Sequence, residues 1–353
     1  MTTRTRPEST ELSVLVVPTV SKRSSDACAR SCPLVELLAA ASQVEAWLGL
    51  LDSYWTANGF SYWVGGRHAN PYVSAYVVLA LAEARDAGYA VPEALTSRAV
   101  EVLAGYARSS SSRPRYYNVT TWQDTRALIL YALARHGQVL TQELDALLNA
   151  TISTPGTLSA DGYSHLLRTL NLAGGPLERQ HGQRLVDALL SRLRVEGTTA
   201  YLTASADANA RWIFASDTRA TAFGLTALLE SDPPPDMQPF AEQMVRYLIQ
   251  QRQAGAWAST QENMAVIEAL DRYVTRYEAE APNLNAAVRV AGQEIVQATF
   301  RGRNLTEVAE TVALDALPPG ETLPVTIAAD GAGRAYYTLR LQSFPAGPVA
   351  ARD

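Results

Sequence analysis

A single unit recurs between about residue 34 and residue 277. A loop of glycine, aromatic and small polar residues leads into an apolar helix that carries an Ala-Leu pair about two turns in. The clear copies are Ser74-Ala-Tyr-Val-Val-Leu-Ala-Leu81, Arg126-Ala-Leu-Ile-Leu-Tyr-Ala-Leu133 and Thr221-Ala-Phe-Gly-Leu-Thr-Ala-Leu228. A looser copy ends at Ala269-Leu270 and a degenerate one at Thr169-Leu170. The marker leucines stand 52, 37, 58 and 42 residues apart, room for one helical hairpin per repeat. Partner helices are predicted over residues 92–108, 141–150, 177–193 and 237–250. Asn70-Pro71 supplies an N-cap with proline at the first helical position. Ser259-Thr-Gln-Glu262 has the form of a capping box, and Gly88, Gly137 and Gly174 mark helix ends. The alanines allow close helix approach, which suits an inner ring packed against an outer one. The expected fold class is therefore mainly α, an α/α toroid of helical hairpins.

Outside that span the pattern is that of strands. Residues 12–17 form a short β-type run closed by Pro18, followed by a polar loop through residue 33. After Pro282, residues 288–290 and 294–300 flank a tight turn at Ala291-Gly292, which predicts a hairpin. Further runs at 322–328 and 334–341 are joined through Asp330-Gly331. The chain thus divides into an N-terminal strand and irregular loop (1–33), a helical domain (34–281) and a small, incomplete antiparallel β-sandwich module (283–353). Strand 12–17 is expected to pair with that module, since a few strands with open edges are marginal alone.

Charge and cysteine content narrow the function. Thirty basic and 35 acidic residues give a net charge of −5, and no basic stripe along the sequence offsets it, so no nucleic-acid partner is expected. No apolar run reaches the roughly 20 residues of a membrane span, and the N-terminus is not a signal peptide. Cys28 and Cys32 provide no disulfide framework, and no histidine lies near them in sequence to complete a metal site. No cofactor is implied.

Three segments resemble the bacterial alpha-2-macroglobulin family. Gly59-Phe-Ser-Tyr-Trp63-Val-Gly65-Gly66, with Pro71 to Tyr76 and Glu83 to Pro92, is similar to the entry of that family's thioester domain. Trp257-Ala-Ser-Thr-Gln261-Glu262-Asn263 is similar to its late signature and is the most specific match. Gly331-Ala-Gly333-Arg-Ala-Tyr336-Tyr337 resembles the closing strand of the flanking β-domain, which is of the CUB/macroglobulin kind. The resemblance implies a toroid inserted into a β-domain, so that one strand precedes it and the rest follow. It also implies an exported protease trap, in the periplasm or at the cell surface, that inhibits endopeptidases and is not an enzyme. Proteases would be met through the parent protein, and a membrane only if the parent is lipid-anchored. Trp63, Gly65, Gly66, Trp257, Gln261, Glu262 and Asn263 carry the family signature as structural residues, with Trp257 and Gln261 expected to be buried at a hairpin junction. The family's thioester motif, Gly-Cys-x-Glu-Gln, is absent, and segment 20–45 departs from the family pattern. What the resemblance implies is a non-catalytic module without a working thioester.

The rival is an α/α-toroid enzyme of the terpenoid cyclase or prenyltransferase kind, since Gln251-Arg-Gln-Ala-Gly255-Ala-Trp257 fits a pattern of those cyclases. No Asp-rich cluster accompanies it, and stoichiometric zinc would be its discriminating sign. His68 follows the glycine pair, out of place for a family acyl-transfer histidine, and is expected at the surface. His136, His165 and His181 lack partners at ligand spacing. Trp122-Gln-Asp124 and Asp217-Thr-Arg219 each open a repeat helix, where an acid is explained by capping and the helix dipole.

Overall fold

The computed structural model describes residues 11–18, 34–109, 113–154, 156–205, 208–231, 237–253, 255–302, 308–313 and 324–342. Cys28 and Cys32 lie outside these. The chain is mainly helical with small antiparallel sheets. Strand β1 (Glu11–Pro18) is followed by α1 (Leu34–Leu50) and a short ribbon, β2 (Trp55–Thr56) and β3 (Gly59–Phe60). Then come α2 (Pro71–Asp86), α3 (Glu93–Arg108), α4 (Val119–Arg135), α5 (Thr141–Ser153), α6 (Ala160–Ala173) and α7 (Gly175–Leu190). A hairpin, β4 (Leu193–Glu196) and β5 (Thr199–Leu202), separates these from α8 (Asp217–Glu230), α9 (Gln238–Gln250) and α10 (Thr260–Tyr277). The chain ends in β6 (Asn283–Val290), β7 (Gln293–Arg301), β8 (Val308–Ala313), β9 (Val325–Ala332) and β10 (Ala335–Gln342). Two compact units result, residues 34–273 and the residues on either side of them. None of the described helices is long and apolar enough to cross a membrane.

In the helical unit, burial separates two kinds of helix. Every residue from Ala160 to Leu170 in α6 and from Thr218 to Leu229 in α8 is buried, so these helices are surrounded on all sides. By contrast, α9 buries only the stripe Ala241, Met244, Val245 and Leu248. Contacts follow the same division: α4 packs between α2 and α6, and α6 between α4 and α8, while α3, α5, α7 and α9 flank them. Hydroxyls in the enclosed helices are satisfied by the carbonyl one turn back: Ser164 on Ala160 at 2.7 Å, Thr169 on His165 at 2.7 Å, Thr226 on Ala222 at 3.0 Å. At the closest approach of α4 and α6 stands Gly162, where a Cβ would collide with the Asp124 carboxylate.

Helix α7 stops at Leu190, short of its expected end at 193, and the β4–β5 hairpin takes over. The reason is local: Val195, Thr198, Thr199 and Tyr201 favour extended backbone around a turn at Gly197. Ala200 and Leu202 then point into the core between α8 and α9.

In the other unit, two three-stranded antiparallel sheets form, in the orders β10-β1-β8 and β7-β6-β9. Strand β1 is the centre of the first, with Val14 opposite Leu339 on one side and Glu310 on the other. Alternate residues of the β6–β7 hairpin build the core: Leu284, Ala286 and Val288 with Val296, Ala298 and Phe300. Val308, Ile327 and Ala335 pack against it. Two readings of the sequence need correction. Asp330-Gly331 is not a turn: β9 runs on through Ala332. Gly331 is needed because it crosses the Asn283 backbone, where a side chain would not fit. Nor do β9 and β10 pair; consecutive strands change sheets, and the unanticipated β8 is exposed at an edge, where alternation is weakest.

Candidate functional site

The beginnings of α2, α4, α6, α8 and α10 meet, and beneath the loops that enter them lies a buried polar network. Arg219, 1% exposed, donates to Tyr72 Oη at 2.7 Å, to the Ile213 carbonyl and to the Asp161 carboxylate. Tyr72 Oη in turn donates to Ile213 O at 2.7 Å and reaches Gln261 Oε1 at 3.4 Å. One carbonyl between two aromatic residues is thus held from below by two donors. Burial pushes the Tyr72 phenol well above its ordinary range, and Arg219 only partly opposes this.

Asp124 belongs to the same floor. Its position in α4 is not explained by capping that helix, which Asn118 does by accepting from Thr121 N at 2.8 Å. Asp124 Oδ1 instead accepts from Ser159 N at 2.9 Å and so closes the start of α6 from the neighbouring helix. Its other oxygen has no partner among the described residues. Burial, then the Asp161 charge, push its carboxyl up to about 7. The unfolded chain releases this proton near pH 3.9. Between the two values the folded state holds the extra proton, so stability is greatest below the window and falls as pH rises through it. At about 1.4 kcal/mol per unit, Asp124→Asn is expected to gain a few kcal/mol on the parent at pH 8 and little at pH 4. Urea melts at the two pH values measure this; equal differences at both would refute it.

At the far ends of these helices Arg168, 2% exposed, joins Glu230 at 2.9 Å and Glu268 at 2.5 Å and lies over the Tyr131 ring. A cavity of about 260 Å³ opens beside it, lined by Tyr131, Arg135, Asn171, Glu230 and Arg272. Every arginine there already has a carboxylate: Arg135 takes Glu83 and Asp86, and Arg272 takes Glu230. The arrangement is a lock between helices.

Trp63 stands 79% exposed in the β3–α2 loop. Gly65 N donates to Ser53 O and Gly66 N to Trp63 O, each at 3.0 Å. The late signature forms a small staple. Asn263 accepts from Trp257 N at 3.2 Å and donates to Trp257 O at 3.0 Å and Ser259 O at 2.7 Å. Glu262 N donates to Ser259 Oγ at 3.2 Å, and Glu262 is buried. Trp257 and Gln261 are half-buried rather than enclosed, because the indole lies along the turn, donating to Leu248 O at 2.7 Å with Arg252 over its ring. Trp257→Ala should then cost about 1.5–3 kcal/mol, below the range for an enclosed tryptophan; an unchanged urea midpoint would refute this.

His68 is exposed and lines a shallow depression with Arg67 and Tyr106. His136 Nε2 lies 2.8 Å from Val78 O. His165 is buried against Tyr131 and Phe223, and burial and two arginines keep it neutral. His181 has Asp145 at 4.0 Å, a pairing invisible in the sequence. Among the described residues no group of three or more His, Cys, Asp and Glu could hold a metal ion.

No protein-family model and no curated protein matches the sequence. Solved structures do. The Escherichia coli alpha-2-macroglobulin segment from domain MG7 to the C-terminus aligns with 98% of this chain and 54% of its own, at 17% identity and TM-score 0.60. Salmonella alpha-2-macroglobulin reacted with methylamine aligns over 99% and 23%, at 18% identity and TM-score 0.62. The Escherichia coli protein activated by porcine elastase aligns over 97% and 31%, at 17% identity and TM-score 0.65. Along nearly its whole length the chain therefore has a fold found in bacterial alpha-2-macroglobulins, and it spans about half or less of those structures.

Proposed function

We propose that this chain is a module of a protease trap of the alpha-2-macroglobulin kind, an endopeptidase inhibitor rather than an enzyme, working without a thioester. The observation that carries this is the order of the fold: one strand, a helical unit, then the strands that enclose the first. The row α2, α4, α6 and α8, packed in sequence, with α10 tied to α2 through Tyr72 and Gln261, supports an α/α toroid. The carboxyls at its centre, Asp124 and Asp161, are 3% and 4% exposed, which favours a structural over a catalytic role. The parent works outside the cytoplasm, in the periplasm or at the cell surface, where foreign proteases are met.

A trap hinders large substrates and leaves the protease's own site open. Elastase mixed with the parent protein is expected to lose most of its activity on a protein substrate while still cleaving a short chromogenic peptide. No adduct should survive denaturation. Equal loss on both substrates would point to an active-site inhibitor, and loss on neither would remove the proposal.

A further inference from the structure

The loops above the buried floor gather aromatic side chains that face outward. Tyr62, Trp63, Tyr116, Trp212 and Phe214 are 40–79% exposed. They are contiguous: the Tyr116 and Trp212 rings lie 5.4 Å apart, and Tyr62 Oη donates to Trp212 O at 3.3 Å. Phe214 holds a left-handed backbone at φ 54°, uncommon for a residue with a side chain. Strain of this sort persists only where the surroundings impose it, and it is enriched at functional positions. Here the imposing groups are Tyr72 and Arg219, which hold the Ile213 carbonyl between Trp212 and Phe214. The patch is pre-organised from beneath.

Its rim is basic. Arg67, Arg113, Arg115 and Arg211, from three separate loops, stand exposed there without an ion pair among the described residues. No acidic residue occurs in 58–70, 113–118 or 208–216. Arg211 lies over Trp212. Aromatic residues with arginine are the composition of protein-binding hot spots. A protein whose net charge is −5 repels a long polyanion or an anionic bilayer at a distance, whereas a short acidic segment meets only the local field.

We infer that this face docks a polypeptide segment that presents carboxylates around an apolar centre, the carboxylates meeting Arg115 and Arg211 and the apolar side chains meeting Tyr116, Trp212 and Phe214. This stands apart from the protease-trap reading and can fail without it.

The test selects a displayed library of random dodecapeptides on the whole chain, then measures dissociation constants for the recovered consensus peptide. Sequences combining Asp or Glu with aliphatic or aromatic residues are expected. Arg115→Glu with Arg211→Glu should weaken the consensus peptide at least tenfold, as should Trp212→Ser, with unchanged thermal melts. Weakening of the parent's binding by raised salt should accompany this. No enriched sequence, a basic or purely apolar consensus, or equal binding by the variants would overturn the inference. So would flotation with vesicles of phosphatidylcholine and phosphatidylserine, or retention of single-stranded oligonucleotide, lost in the same variants while no peptide binds.

Discussion

Arg219→Met is expected to lower the unfolding free energy of this protein by about 3–5 kcal/mol at neutral pH, the range found when one partner of a buried ion pair is removed. The magnitude follows from what the arginine leaves behind. Asp161 is 4% exposed and already has one oxygen without a partner among the described residues, so deletion of the guanidinium strands a carboxylate buried away from solvent. Asp124 stands near enough to raise the cost further, as its own carboxyl, pushed up to about 7, already indicates. Tyr72 loses a donor at the same time. An exposed pair such as Arg98 with Asp52, its side chains 54% and 74% exposed, is worth roughly 0–1 kcal/mol by comparison. Two controls separate charge from shape. Arg219→Met combined with Asp161→Asn should recover more than half the loss, since it removes the stranded charge. The single variant should also recover part of the loss at acidic pH, as Asp124 takes up its proton. Urea denaturation at pH 5 and 8 measures both. A loss below about 1 kcal/mol, or no recovery in the double variant, would show that the ion pair does not carry the stability assigned to it.

That network marks the limit of what the sequence discloses. Helices repeat their apolar face every three to four residues, so the Ala-Leu copies at Leu81, Leu133 and Leu228 were enough to place α2, α4 and α8. The β6–β7 hairpin was legible from the turn at Ala291-Gly292 between runs of strand-forming residues, although β6 begins at Asn283 rather than at 288. Ion pairs have no such period. Arg219 and Asp161 are 58 positions apart, and Arg168 and Glu268 are 100 apart. Asp124, seen alone near a helix start, has a sufficient local explanation in capping or the dipole, and that explanation hid the tertiary one. The available signal was a basic residue beside or inside a run otherwise free of charge: Arg219 precedes ten uncharged residues, and Arg168 interrupts an apolar helix. Such residues are almost never fully buried unless paired. Sheet membership was hidden differently. Alternation says that a strand has a buried face, not which sheet it joins, so the crossing from β9 to β10 could not be read from either strand. The exposed aromatic face was missed because packing between hairpins is the ordinary fate of loop aromatics; here Trp63 and Trp212 point the other way.

Incubation with methylamine is expected to release no thiol and add no mass to this protein, and incubation with elastase is expected to give no adduct that survives denaturation. A thioester joins a cysteine sulfur to a glutamine side chain three residues on, and that spacing is a hard constraint. Three residues after Cys28 stands Ser31; three after Cys32 stands Val35. Neither can supply the acyl group. The nearest glutamine that follows, Gln43, lies eleven residues beyond Cys32 in α1, where its side chain is exposed. A thioester also needs water kept from it until the nucleophile arrives, and residues 20–33 are largely polar. Both sulfurs should therefore titrate as ordinary thiols in the reduced protein before any amine is added, or join as a strained pair under oxidation. The effect is all or none, which makes intact mass spectrometry decisive. A thiol that becomes titratable only after methylamine, with a matching mass gain on one glutamine, would mean that the chain closes an acyl bond across a spacing no local geometry provides. On the protease-trap proposal, retention of a protease then comes from enclosure and surface contact, so it should fall away under denaturant and carry no dependence on lysines of the captured enzyme.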